Sequence, residues 1–226
     1  MVNKSSPPMD KRLRGFTLIE LLVSLGIVAL LSAFVLAGVN RARSAADRAA
    51  TAQSLRSIGT AMQSYASDHN FELPGPLYNA QSAWYSSKNP GALGTFLWSY
   101  LGCPEPLPTS RECKVINNPA NERIRAATDT PVYLMRPEVT LKGAPTTPPF
   151  GIRDSKGITT QRPMRLQALA GYGLSTNWAM VDIDQQIKRV QGWGTSSYPK
   201  SPVLGNVRMA LYFDWHVSAV PIEEGP

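Results

Sequence analysis

Ionisable side chains are scarce in this chain of 226 residues: 17% are charged, a low share for a soluble protein. The scarcity is local, because from Phe16 to Val39 the only ionisable residue is Glu20. Histidine and cysteine number two each. His69 and His216 have no Cys or second His at ligand spacing, so no metal site is assigned. The glycines form no phosphate-cradling loop of the Walker type. No serine has a plausible base near it in sequence. The expectation is a protein that is not an enzyme and takes no cofactor. Lys and Arg exceed Asp and Glu by 23 to 16, a mild excess that does not argue for nucleic acid as a partner, which calls for cations clustered on one face.

What is present is uneven. Residues 1–15 are short, polar and basic, with Lys4, Lys11, Arg12 and Arg14 against Asp10. The 24 residues from Phe16 to Val39 are enough to span a bilayer, which takes about 20 helical residues. An ordinary secretory signal has a shorter apolar core ending at a small-residue cleavage site. Here the expected cut precedes the apolar run, so the helix stays in the product. The positive-inside rule puts residues 1–15 in the cytoplasm and everything beyond about residue 40 outside. Glu20 is the informative exception. A charge at mid-membrane costs roughly 2.5–3.5 kcal/mol on insertion scales, and less near the interface. The helix dipole favours an anion at this end. The alternative partner is the α-amine that cleavage creates on Phe16 of a neighbouring subunit, largely cationic at neutral pH.

Arg14-Gly15-Phe16-Thr17-Leu18-Ile19-Glu20 resembles the signature of type IV prepilins and type II secretion pseudopilins. The resemblance implies cleavage after Gly15 by a membrane-embedded prepilin peptidase, methylation of the new amino group on Phe16, and a role for Glu20 in registering incoming subunits. It implies as partners other pilin or pseudopilin subunits, the peptidase, and an inner-membrane assembly platform. The implied location is the bacterial inner membrane, crossed once, with the carboxy-terminal domain periplasmic until the subunit enters a pilus or pseudopilus.

Past the membrane segment, Arg41–Ser67 has no proline and is rich in helix formers. Ala42, Ala45, Ala49, Ala52, Leu55, Ile58, Met62 and Tyr65 recur at spacings of three and four. That predicts an amphipathic face on which an outer domain docks. Arg43, Asp47, Arg48, Gln53 and Arg56 are assigned to the opposite, polar face. One helix of about 50 residues follows, from Phe16 to near Ser67, stopped at Asn70 before Pro74 and Pro76. Downstream, the pattern predicts a helix over 92–101 ended by Gly102, strands over 131–139 and 172–180, and a strand over 207–213. In the last, Val207, Met209, Leu211 and Phe213 alternate with Arg208, Ala210 and Tyr212. Asp214-Trp215 then turns the chain into a final hairpin.

The expected fold is α+β and pilin-like: a long amino-terminal transmembrane helix with a small antiparallel sheet packed on its outer half. Its divisions are a leader 1–15, a membrane helix 16–39, the outer half of the helix 40–70 and a globular domain 71–226. Cys103 and Cys113 lie in that domain. Outside the cytoplasm they can pair, a short loop worth at most about 3 kcal/mol by loop entropy; the alternative is two buried thiols.

Tyr65-Ala66-Ser67-Asp68, Leu73-Pro74, Cys103-Pro104, Gly171–Leu174 and Leu211–Val217 also resemble a subgroup of prepilin-type proteins with an H-x9-D-G ending. Here Trp215 stands where that subgroup has Gly, and Leu204 where its upstream His falls. Other candidates are a turn at Asp154–Gly157, the pairs Asp182/Asp184 and Asp214/His216, and the aromatics Trp84, Tyr85, Trp98, Trp178, Trp193 and Trp215. Three functions compete. The leading one is a structural fibre subunit. The second is a binding module for DNA or glycan, at a fibre tip or simply anchored in the membrane, and the third a membrane-tethered enzyme.

Overall fold

The computed structural model describes residues 16–124, 127, 129–141, 145–153, 157–188 and 197–223. Of the features singled out above, the leader 1–15 with Gly15, residues 154–156 of the expected turn, and Trp193 lie outside the described residues. The chain divides into two units, 1–43 and 44–226, and helix α1, Leu18–Asp68, contributes to both.

In the first unit, α1 is long and apolar enough to cross a membrane. Its large side chains are exposed, from Leu18 and Ile19 to Leu36 and Val39. Two serines interrupt the apolar run, and both return their hydroxyls to the helix: Ser24 Oγ donates to the Leu21 carbonyl at 2.9 Å and Ser32 Oγ to the Val28 carbonyl at 2.7 Å. Both hydroxyls are thus satisfied within the helix, as a lipid environment requires.

The second unit begins with Ser44–Asp68 of α1 and continues through β1 (Ala80–Gln81), β2 (Trp84–Tyr85), α2 (Leu93–Leu97), β3 (Arg111–Glu112), α3 (Pro119–Glu122), β4 (Tyr133–Met135), β5 (Ile152–Arg153), β6 (Thr159–Gln161), α4 (Leu166–Leu169), β7 (Trp178–Asp182), β8 (Val207–Tyr212) and β9 (Val217–Pro221). An antiparallel sheet runs in the order β1-β4-β7-β8-β9, with two short ribbons, β2-β3 and β5-β6, beside it. The layout is the α+β, pilin-like one that the pattern predicts. One core joins Leu55, Ile58 and Met62 of α1 to Tyr133, Met180, Leu211 and Phe213. A second, smaller core holds Leu134, Trp178, Val181, Ile183, Ile187 and Ala210. The strand residues alternate between the two, so the centre of the sheet is covered on both faces.

The docking face of α1 differs from the predicted stripe at its start. Ala42, Ala45 and Ala49 are exposed, and burial begins at Thr51 and Ala52 and continues through Leu55, Ile58, Ala61, Met62 and Ala66. Asp47 and Arg48 are not simply solvated. Asp47 pairs with Arg123, and Arg48 donates to the Leu204 carbonyl at 3.1 Å. Gly59 sets how close the helix comes to β8, because a Cβ there would lie 2.9 Å from Leu211 Cδ1. The helix ends as its sequence requires. Asn70 is left-handed with φ 55°, and the Phe71 amide returns to the Ala66 carbonyl at 2.7 Å, the six-to-one bond of a Schellman cap.

Other boundaries differ from those expected. The predicted helix 92–101 is helical only over Leu93–Leu97 and continues as turns to Gly102, whose φ of 65° closes it. The strand expected over 131–139 spans Tyr133–Met135. The strand expected over 172–180 starts at Trp178, because Ala170–Tyr172 forms a 3-10 turn first. Cys103 and Cys113 are joined by a disulfide. The hairpin β8-β9 pairs Val207 with Pro221 through to Leu211 with Val217.

Replacing Gly59 with Leu forces a side chain into the helix–sheet contact. Overpacking of this kind costs about 1–3 kcal/mol, so thermal unfolding of the detergent-extracted chain is expected several degrees lower. An unchanged melting profile would mean that α1 does not sit this close to Leu211.

Candidate functional site

The head of α1 is a capping box. Thr17 precedes the first helical residue, and Glu20 lies three positions on. Glu20 Oε2 accepts the Thr17 amide at 2.9 Å and the Thr17 hydroxyl at 2.7 Å, while the Glu20 amide donates to Thr17 Oγ1 at 3.3 Å. This reciprocal arrangement satisfies two amides that the helix leaves without partners. It also places a carboxylate at the positive end of the helix dipole. Among the described residues only Oε2 is engaged, and Oε1 accepts no bond. Phe16, Ile19, Val23 and Ile27 lie along the same face of the helix as Glu20, and Phe16 is 79% exposed. The site is therefore an apolar surface carrying one half-satisfied carboxylate. Thr17 was not singled out as Glu20's partner in the sequence reading, although the T-x-x-E spacing that encodes a capping box was there to be read.

The remaining candidates are committed elsewhere. His69 stacks on Tyr65 with ring centroids 3.9 Å apart, and its Nδ1 lies 2.8 Å from the Tyr65 carbonyl. His216 stacks on Tyr212 and pairs through Nδ1 with Asp214 at 2.5 Å. Among the described residues no group of three His, Cys, Asp or Glu side chains is placed to hold a metal. Tyr85 and Trp178 are buried, and Trp84, Trp98 and Trp215 pack against the main core, so these aromatics do not form a binding face. Arg136 lies 4.8 Å over the Trp178 ring. Trp215 has φ 70°, the left-handed conformation that glycine adopts freely, and Leu204 is buried.

Asp182 and Asp184 are the largest surprise. Both are buried, as is Arg208, which the alternation of β8 assigns to the outer, polar face. The cause is the second core: that face is covered too. Arg208 forms two bonds to the Asp184 carboxylate, at 2.6 and 3.0 Å. Asp182 accepts from Asn118 Nδ2 and from the Met209 amide, each at 2.9 Å. Asn118 Oδ1 caps α3 through the Ala120 amide at 3.0 Å and accepts the Thr51 hydroxyl of α1 at 3.2 Å. One polar chain thus connects α1, α3, β7 and β8. Nothing in sequence spacing links Thr51, Asn118 and Asp182, so this network was not legible in advance.

Burial drives the Asp182 carboxyl up to about 7, helped by the charge of Asp184 and opposed by the donors Met209 and Asn118 and by Arg208. Burial and Asp182 push the Tyr133 hydroxyl up as well; that hydroxyl has no hydrogen-bond partner among the described residues. An unfolded Asp ionises near 3.9. Between that value and about 7 the folded protein holds a proton that the unfolded chain has lost. The stability Asp182 contributes is therefore greatest at low pH and falls as pH rises through about 7. The full loss is no more than about 4 kcal/mol. Denaturant unfolding from pH 4 to 8 is expected to show this decline, and Asp182→Asn to flatten it. A wild-type profile rising with pH would contradict the assignment.

Residues 10–36 match the prokaryotic N-terminal methylation motif. The match covers the amino-terminal segment and does not extend to the H-x9-D-G subgroup. No curated protein and no solved structure matches the chain.

Proposed function

We propose that this chain, whose methylation motif indicates a pilin- or pseudopilin-like substrate of prepilin peptidase, is a structural subunit of a type II secretion pseudopilus or a type IV pilus-like fibre. Residues 1–15 are the leader, removed after Gly15, and the exposed amine of Phe16 is methylated. Residues 16–39 anchor the subunit in the inner membrane, crossing it once, with the globular domain on the periplasmic side. An assembly platform in that membrane then passes it to a growing fibre of like subunits.

The observation that carries this reading is the half-satisfied carboxylate of Glu20 on a bare apolar helix. The capping box fixes Glu20 in one place by binding Oε2 to Thr17. Oε1 is left to accept a charged donor. The methylated amine of Phe16 in a neighbouring subunit is such a donor, and a secondary amine keeps its positive charge. In lipid or in a helical fibre core, water does not compete, so the pair is stronger than at a protein surface. The apolar side chains flanking Glu20 suit both surroundings, because a fibre core of identical helices is as apolar as lipid. A chain bearing this motif is expected to act by assembly and not by catalysis.

Intact-mass analysis of membrane-extracted protein, with and without the peptidase, tests the processing. A product starting at Phe16 with one added methyl, found only with the peptidase, is expected; an uncut chain under both conditions would overturn the reading. Glu20→Ala and Glu20→Gln are expected to be processed normally yet fail to enter fibres. Thr17→Ala, which removes a cap worth about 1 kcal/mol, is expected to lower assembly without abolishing it.

A further inference from the structure

At the end of α1 the backbone is strained at a residue whose side chain does not suit it. Asn70 and Phe71 are successive left-handed residues, with φ 55° and 61°. Asn tolerates this conformation, but a bulky side chain there is an outlier. Phe71 is held in it from both sides: its amide donates to the Ala66 carbonyl at 2.7 Å, and its carbonyl accepts the Leu166 amide at 2.8 Å. Glycine would satisfy the same bonds without strain. Nor does the ring recover the cost by burial, since Phe71 is 48% exposed. Strain kept in place by the surrounding structure is a pointer to function.

The exposed ring borders a cleft of about 580 Å³, lined by Ser67, Asn70, Phe71, Arg165, Gln167 and Ala168. That volume lies in the range of small-ligand sites. The Ser67 hydroxyl is turned back to the Gln63 carbonyl. The Asn70, Gln167 and Arg165 side chains make no hydrogen bond or ion pair among the described residues. The cleft therefore combines an aromatic face, two amides that both donate and accept, and one guanidinium fork suited to a carboxylate.

We infer that this cleft binds an acidic saccharide, a mono- or disaccharide unit carrying a carboxylate. The C–H face of the sugar ring packs on Phe71, its hydroxyls bond to Asn70 and Gln167, and its carboxylate meets Arg165. A nucleic acid also stacks on aromatics, but its phosphates call for several cations, and the cleft offers one. The inference does not depend on polymerisation, because every lining residue belongs to the globular unit of a single chain.

The test is titration of the detergent-solubilised, full-length protein with oligogalacturonate and with its methyl ester, which is the same sugar without the charge. The acid is expected to bind about tenfold more tightly than the ester. Arg165→Gln is expected to erase that preference. Phe71→Gly is expected to weaken binding of both sugars at least about tenfold while leaving the thermal midpoint unchanged or raised, because the strain is relieved. No binding of the acid, undiminished binding by Phe71→Gly, or equal binding of a single-stranded oligodeoxynucleotide would overturn the assignment. Fibre assembly is scored separately in the same variants and is expected to be unaffected.

Discussion

A carboxylate set among residues that cannot ionise must find its hydrogen bonds before the helix can sit in lipid. Glu20 finds half of them in Thr17, three residues away. The capping box partly satisfies the charge within one chain and, in the proposed fibre, leaves one oxygen open for a neighbour. From that follow the other features of the amino-terminal unit. On the proposed reading the flanking residues are apolar all round because both the bilayer and a bundle of like helices are apolar. Ser24 and Ser32 fold their hydroxyls back onto the helix, whereas Glu20 keeps an oxygen without a partner among the described residues. In the proposed fibre, a neighbour that supplies a cation there adds a charged hydrogen bond that contacts between aliphatic side chains cannot provide.

The globular unit solves a different problem, which is to hold a thin sheet on one helix. Small and aliphatic residues from Thr51 to Ala66 form the contact, and Gly59 lets β8 approach closely. Across the sheet, polar groups are buried in two bonded sets: Arg208 with Asp184, and Asp182 with Asn118 and the Met209 amide. Buried polar groups of this kind stabilise only when every member is bonded, and they fix one arrangement over others. Asn118 is central. Its one carbonyl oxygen caps α3 and accepts from Thr51, while its amide holds Asp182.

Much of this plan was legible in the sequence because it is local. The apolar run, the position of Glu20, the stop at Asn70 and the hairpin β8-β9 each depend on residues a few places apart. The failures have a common cause in tertiary context. Alternation along β8 separates Arg208 from the apolar residues, but nothing local announces a second core with a buried carboxylate waiting. The Ala42, Ala45 and Ala49 part of the stripe is exposed because periodicity fixes a face but not where the domain begins to cover it. The strand over 131–139 shrank and the one over 172–180 shifted to Trp178–Asp182 because backbone pairing, and not composition, sets their ends. At Phe71 the sequence misleads in a useful way: an aromatic stands where a left-handed turn favours Gly or Asn, and only the backbone shows it.

Zero-length coupling of amines to carboxylates within assembled fibres tests the central pairing most directly. Fibres are grown from an equal mixture of isotopically heavy and light subunits, coupled, and digested to the peptide Phe16–Arg41. The account predicts peptide dimers joined by an amide between the Phe16 nitrogen and Glu20, half of them pairing heavy with light. Coupling confined to single chains, or fibres that form with the Phe16 amine and Glu20 out of reach of each other, would contradict it.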